Sequence, residues 1–166
     1  MKKILSLTLA LAMLGTALTG CGSKTAAPET SVEPTQQTAP YQQEQSQTEK
    51  ALALINTFAT GDTDTARSLL SDGYIQHNLA YGTGADAFIG SVEYLASADV
   101  KTTVDNIRAF EDGDKVFLQT IYNFAGAGEQ VAFDIFRFDE DGKIAEHWDV
   151  METIADQSTW QNQNGK

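Results

Sequence analysis

Apolar residues follow two spacings along this chain. Up to Leu95 they recur at helical intervals, and beyond Val100 they alternate with polar residues at period two. Leu52, Ile55 and Phe58 share one face of a first helix, with Thr48 as its cap and Gly61 as its stop. A second, short helix capped by Asp62 or Thr63 carries Ala66, Leu69 and Leu70 and ends at Asp72-Gly73. The piece 74–78 reads as extended, 79–84 as a loop with two glycines, and Phe88, Ile89, Val92 and Leu95 mark the apolar side of a third helix. The alternating stretches 101–110, 116–124, 131–138 and 143–151 are separated by turns at Asp112-Gly113-Asp114, Gly126-Ala127-Gly128 and Asp139-Glu140-Asp141-Gly142. These spacings predict an α+β domain, with three N-terminal helices covering a curved antiparallel meander of about four long strands. A strongly curved sheet would form an open cone with a cavity, whereas a flat sheet packed on the helices would leave no void.

The segment before this domain changes the picture of where it works. Lys2 and Lys3 precede an apolar run, 4–18, too short for a comfortable membrane span, and the run ends in Leu18-Thr19-Gly20-Cys21. That tetrapeptide resembles the lipobox of bacterial lipoproteins, in which the signal is cleaved before the cysteine and the thiol is acylated. The alternative is a plain secretory signal with an incidental cysteine. Residues 22–47 are rich in Ser, Thr, Ala, Pro, Glu and Gln, with Pro28, Pro34 and Pro40 spaced through them, a composition that cannot build a core. The expected organisation is a signal over 1–20, lipidated Cys21 and a tether through 47, a folded domain over 48–155 and a polar tail over 156–166. The domain would then stand on the outer face of a membrane.

Charge and cysteine content narrow the function. Cys21 is the single cysteine, so once acylated it leaves no thiol for a disulfide or a nucleophile. The formal charge is −12, and removing Lys2 and Lys3 with the signal makes it more negative. Such a surface repels phosphate backbones and anionic lipid, so nucleic acid is not an expected partner and membrane attachment should rest on the acyl chain. No phosphate loop, Gly-x-Ser-x-Gly elbow or dinucleotide fingerprint occurs, and no cofactor is expected.

Candidate chemistry is concentrated in the last hairpin and in the motif Tyr74-Ile75-Gln76-His77-Asn78. Asp134, Glu146, His147 and Asp149 stand among Phe133, Phe136, Phe138 and Trp148, which suggests acid and base groups in an apolar pocket. If 140–142 form a three-residue loop, Asp139 faces Lys143, Asp134 pairs with Trp148, Phe136 with Glu146, and Phe138 with Ile144. His147 and Asp149 then share the opposite face, away from Asp134 and Glu146 unless a bulge intervenes. One assignment puts His147 and Asp149 in the cavity with His77 across from them; the other puts Asp134 and Trp148 inside. His77 could serve proton transfer or be a buried histidine that only supports the fold. Trp148, Tyr81 and Tyr94 could line a pocket or belong to packing. His77, His147 and Asp149 have a two-His-one-carboxylate composition but lack local ligand spacing, so no metal is expected.

The element order, the Gln76-His77-Asn78 motif and the pair Asp141-Gly142-Lys143-Ile144 and Glu146-His147-Trp148-Asp149 resemble the SnoaL-like, polyketide-cyclase branch of the nuclear transport factor 2-like superfold. The resemblance implies a cone whose cavity binds a small, largely apolar or carbonyl-bearing molecule, often in a homodimer packed through the sheet. In the cyclases a cavity carboxylate removes a proton next to a carbonyl and an intramolecular aldol closure follows; Asp149 is the corresponding candidate here. On that basis His77 and Asp149 are expected as acid and base, His147 or Asp134 as supporting groups, Asn78 as a carbonyl anchor, and Tyr81, Phe136 and Trp148 as ligand contacts. A non-catalytic ligand carrier or envelope assembly module is the competing expectation.

Overall fold

In this computed structural model the described residues are 44–165; the expected signal, Cys21 and the expected tether up to residue 43 lie outside them. The first helix, α1 (Gln47–Thr60), is capped by Ser46 rather than Thr48. Ser46 has Glu49 at the third helical position, so the two close a reciprocal capping box, while Thr48 instead donates its hydroxyl to Glu111 at 2.8 Å. Gly61 ends α1 in the left-handed conformation, φ 74°, where a Cβ would lie 2.8 Å from that of Ala96.

Helix α2 (Thr63–Leu69), capped by Asp62, is shorter than its sequence suggests. Leu70 turns extended and begins strand β1 (Leu70–Gln76), so Asp72-Gly73 is not a helix stop but part of an irregular strand. Helix α3 (Ala85–Ala96) buries Phe88, Ile89, Val92 and Leu95, the four positions its spacing indicates. Strands β2 (Thr103–Asp112), β3 (Lys115–Asn123), β4 (Glu129–Phe138) and β5 (Ile144–Thr153) form the antiparallel meander. The sheet has five strands, in the order β1-β5-β4-β3-β2, because β1 adds in parallel to β5. It is curved and unclosed, with the helices on its concave side.

The core lies between that concave side and the helices. Leu54 and Ile55 of α1, Val92 of α3, Val116 and Leu118 of β3, Phe136 of β4 and Ile144 of β5 are fully buried there. Two lysines tie the hairpin turn to the helices: Lys50 donates to the Gly142 carbonyl at 3.0 Å, and Lys143 to the Ser68 carbonyl.

The β4–β5 turn has the expected three-residue loop, with Asp139 N–H donating to Lys143 O at 2.9 Å, Gly142 at φ 68°, and Phe138 facing Ile144. One residue further the register changes. Arg137 faces Glu146, so Ala145 is an extra residue in β5, and from there Phe136 faces His147, Ile135 faces Trp148 and Asp134 faces Asp149. The pairings Asp134–Trp148 and Phe136–Glu146 read from the sequence are therefore corrected. The bulge fits because Ala145 is small enough to be buried beside Ile144. Asp134 and Phe136 are thereby placed on the same face as His147 and Asp149, and Trp148 on the reverse.

Phe136 sits under this arrangement, fully buried and stacked on the His147 ring at 4.3 Å. Phe136→Ala should lower the free energy of unfolding by about 3–5 kcal/mol. Urea denaturation monitored by tryptophan fluorescence checks this.

Candidate functional site

Between α1, α3 and the concave face lies a cavity of about 490 Å³. Its walls are apolar, from Phe58, Phe88, Leu95, Phe124 and Met151, and Tyr81 and Tyr94 stand exposed at its rim. Its floor is polar: Asp134, His147 and Asp149, all nearly sealed from solvent, with side-chain exposures of 5, 7 and 4 %.

Hydrogen bonds fix the protonation pattern of that floor. Gln76 accepts from the Asn78 backbone N–H through its Oε1 at 2.9 Å, which leaves its Nε2–H to donate to His147 Nδ1, also at 2.9 Å. Nδ1 is thus an acceptor, and the imidazole carries its proton on Nε2. That Nε2–H donates to Asp134 Oδ1 at 3.2 Å and lies 3.8 Å from Asp149 Oδ2. The other oxygen of Asp134 accepts the Tyr122 hydroxyl at 3.0 Å, and Asp149 Oδ1 accepts from the Asn78 amide at 2.5 Å. Asp149 Oδ2 makes no hydrogen bond among the described residues. The result is a chain Tyr122–Asp134–His147–Gln76–Asn78–Asp149 with one carboxylate oxygen left for a ligand.

The phenols respond to this setting. Burial, and then the neighbouring Asp134, hold Tyr122 well above the ordinary phenol range. Tyr74 is raised by burial and by Asp149 and Asp134, and Tyr81 by burial and Asp149. All three are therefore protonated donors at neutral pH. Asp134, His147 and Asp149 also offer ligand atoms within 4.8 Å of one another. The tautomer imposed by Gln76 nevertheless puts a proton on the imidazole nitrogen that faces the carboxylates, whereas a ligating histidine needs that nitrogen free and donates from its other one. With this tautomer the imidazole donates to the carboxylates instead of offering them a free nitrogen beside which to share a cation.

His77 does not reach the cavity, which corrects its expected place across from His147. Its backbone N–H donates to His147 O at 2.8 Å, continuing the β1 ladder, and alternation along the strand sends its side chain to the outer face. There the ring stacks on Trp148 at 4.3 Å and bonds Glu146 at 2.8 Å; Glu146 also pairs with Arg137. Trp148 is on that outer face as well, so it is not a cavity contact. Phe136 supports His147 from beneath and does not line the void, and Asn78, which holds Asp149 while its Oδ1 accepts from Ala80 N–H, is not among the lining residues either and so is not placed as a carbonyl anchor. Tyr81 is at the rim as expected. Gln76, Tyr74 and Tyr122 are site residues that sequence reasoning missed, although period two puts Tyr74, Gln76 and Asn78 on one side of the extended piece and His77 on the other.

The model of the SnoaL-like domain matches residues 51–147, more than half of the chain and including Gln76, Asp134 and His147. This protein belongs to the SnoaL-like domain family. Its fold is shared with an NTF2-like protein of unknown function from Cytophaga hutchinsonii, 16 % identical with a TM-score of 0.57, over 67 % of this chain and 94 % of that one. It is shared too with IdmH of Streptomyces antibioticus, described as a polyketide cyclase candidate, at 18 % identity and a TM-score of 0.53 over 65 % and 93 %. An epoxide hydrolase of M. tuberculosis is similar at 18 % identity and a TM-score of 0.54, over 62 % and 80 %. No curated protein matches the chain. At these identities the likeness establishes the fold, and the SnoaL-like domain's chemistry has to be argued from its own residues.

Two measurements check this geometry. Nitrogen-15 NMR of His147 should show Nε2 protonated and Nδ1 bare, and Gln76→Leu should release the ring to a mixture of tautomers. On the outer face, the hydrogen bonds from His77 and then Arg137 hold the Glu146 carboxyl below its ordinary value of 4.5. The pair therefore contributes fully above that value and is lost as pH falls through the lower folded-state value. Chemical denaturation at pH 6 and near pH 3 should show wild type losing more stability on acidification than Glu146→Gln.

Proposed function

We propose that this SnoaL-like domain binds a small, largely apolar, carbonyl-bearing molecule and carries out cofactor-free acid-base chemistry on it, of the aldol cyclase, isomerase or dehydratase type. The observation that carries the proposal is the free Asp149 Oδ2 at the floor of an apolar cavity, beside an imidazole whose proton is fixed on Nε2. In such a site Asp149 takes a proton from the carbon next to a carbonyl, and the electron pair moves to the carbonyl oxygen. The enolate carbon then attacks a second carbonyl of the same molecule, and the resulting alkoxide recovers the proton from Asp149. His147 is the neutral donor beside the developing negative charge, and Asp134 with Tyr122 orients it. His77, expected as the acid, has no part in this scheme. The matching fold of a polyketide cyclase candidate and an epoxide hydrolase supports a ligand cavity of this kind without selecting the reaction.

The anchor and the partner belong to the same proposal. Acylation of Cys21 would hold the domain on the outer face of a membrane, supported by the charged, apolar and small-residue sequence before it. A second copy of the chain is the proposed occupant of the outer sheet face. Phe110, Phe117, Ile135 and Trp148 face one another in a row across β2, β3, β4 and β5, with Phe133 and Val150, 53 and 67 % exposed, in the next row. That same surface supports the second reading, a non-catalytic assembly module.

Native mass spectrometry of the protein purified from its own host, followed by denaturation, discriminates the two. A released small molecule in near-stoichiometric amount is expected, and Asp149→Asn should reduce its turnover at least about 100-fold while binding persists. An empty, dimeric domain, or an Asp149→Asn variant with full activity, would overturn the catalytic reading.

A further inference from the structure

Among the described residues, one fully buried donor in the cavity wall has no partner. Tyr74 of β1 is 3 % exposed, its ring packs edge-on against Phe88 at 6.0 Å, and its hydroxyl is buried without any hydrogen bond. A buried hydroxyl left unpaired costs free energy, and the other polar groups of the floor are already committed to one another. Tyr122 is engaged by Asp134, the imidazole N–H by Asp134, and the Gln76 and Asn78 amides each make one bond through the oxygen and one through the nitrogen. At the floor this leaves the buried Tyr74 Oη–H as an unpaired donor and Asp149 Oδ2 as an unpaired anionic acceptor, with Gln130, Tyr81 and Tyr94 bringing further neutral polar groups to the lining. Among the described residues, no lysine or arginine lines the cavity.

We propose that the Tyr74 hydroxyl is the anchor for the ligand's oxygen, and that with the two aspartates it selects a neutral ketone or aldehyde and rejects carboxylates and other anions. This rests on the ligand-binding reading above and adds the chemical class and the residue that reads it. The hydroxyl donates to the carbonyl oxygen and so directs the adjoining carbon, with its acidic C–H, toward the acceptor on Asp149. An anionic head group would meet two buried carboxylates with no cation to offset them. An alkyl group of the same shape would fill the space yet leave the hydroxyl unpaired.

The test uses the full chain carrying Cys21→Ser, which removes the proposed acylation site, and three bicyclic probes of one shape: 2-acetylnaphthalene, 2-ethylnaphthalene and 2-naphthoate. Calorimetric titration should show the ketone binding about tenfold tighter than the alkyl probe, the size of one net hydrogen bond, and the carboxylate at least about tenfold weaker than the ketone. In Tyr74→Phe the ketone and alkyl affinities should come within about twofold of each other, with the alkyl affinity unchanged. Removing an unpaired buried hydroxyl should also leave the urea midpoint the same or higher, so a loss of preference is not a loss of folding. Asp149→Asn should weaken the rejection of naphthoate. Retention of the ketone preference in Tyr74→Phe, equal affinity for ketone and alkyl probes in wild type, or naphthoate binding as well as the ketone would each overturn the assignment while leaving a binding cavity intact. Failure of all three probes to bind would overturn the cavity reading together with it.

Discussion

Between Phe138 and Arg137 of β4 the facing strand passes two residues, Ile144 and Ala145, and this single insertion sets which side of the sheet carries ionisable groups. Side chains alternate along a strand, so removing one residue would send His147 and Asp149 to the outer face and bring Glu146 and Trp148 inward. The bulge reconciles two demands that an even ladder cannot meet together. Phe138 and Ile144 must both enter the core at the hairpin end, and Asp134, Phe136, His147 and Asp149 must all enter farther along. Because β1 also pairs with β5 across this point, the same irregularity governs where Gln76 meets His147. The tautomer of the imidazole is therefore a consequence of strand register.

How far the sequence made this legible depends on the range of the interaction. Helices α1 and α3 and the four meander strands follow from local periodicity, and the loop at Asp139–Lys143 follows from its turn chemistry. The pairing Phe138–Ile144 adjoins that loop and is readable from it. The bulge one step later is not, since Ala145 fits either parity and nothing local penalises it in a regular strand. Strand β1 was hidden for a related reason: its partner is about 70 residues away, its pairing is parallel and broken, and Asp72-Gly73 reads as a stop when seen alone.

His77 departs from its expected place for a different reason. Histidine near a polar motif invites a catalytic role, but the residue beside it, Gln76, has the inward parity and is the one that touches His147. His77 instead belongs to a cluster with Trp148, Glu146 and Arg137, where aromatic stacking and ion pairing hold the outer surface of β1 to β5. Two histidines, one on β5 and one at the end of β1, thus sit on opposite faces, one sealed beneath a cavity and the other at a partly exposed surface.

The two buried carboxylates also explain why so many neutral polar residues surround this floor. An arginine there would neutralise them, yet it would occupy the acceptor oxygen and fill the void; Tyr122 and Asn78 bond the carboxylates, Gln76 bonds the imidazole between them, and Asp149 Oδ2 is left open. Asp149 Oδ2 keeps lone pairs that a polarised C–H can meet. A hydroxyl left without a partner in the same wall adds a demand for an acceptor. Both demands would be met together by one neutral group with an electron-rich oxygen and an acidic hydrogen on the adjoining carbon, and the proposed carbonyl ligand rests on that pairing more than on the shape of the cavity.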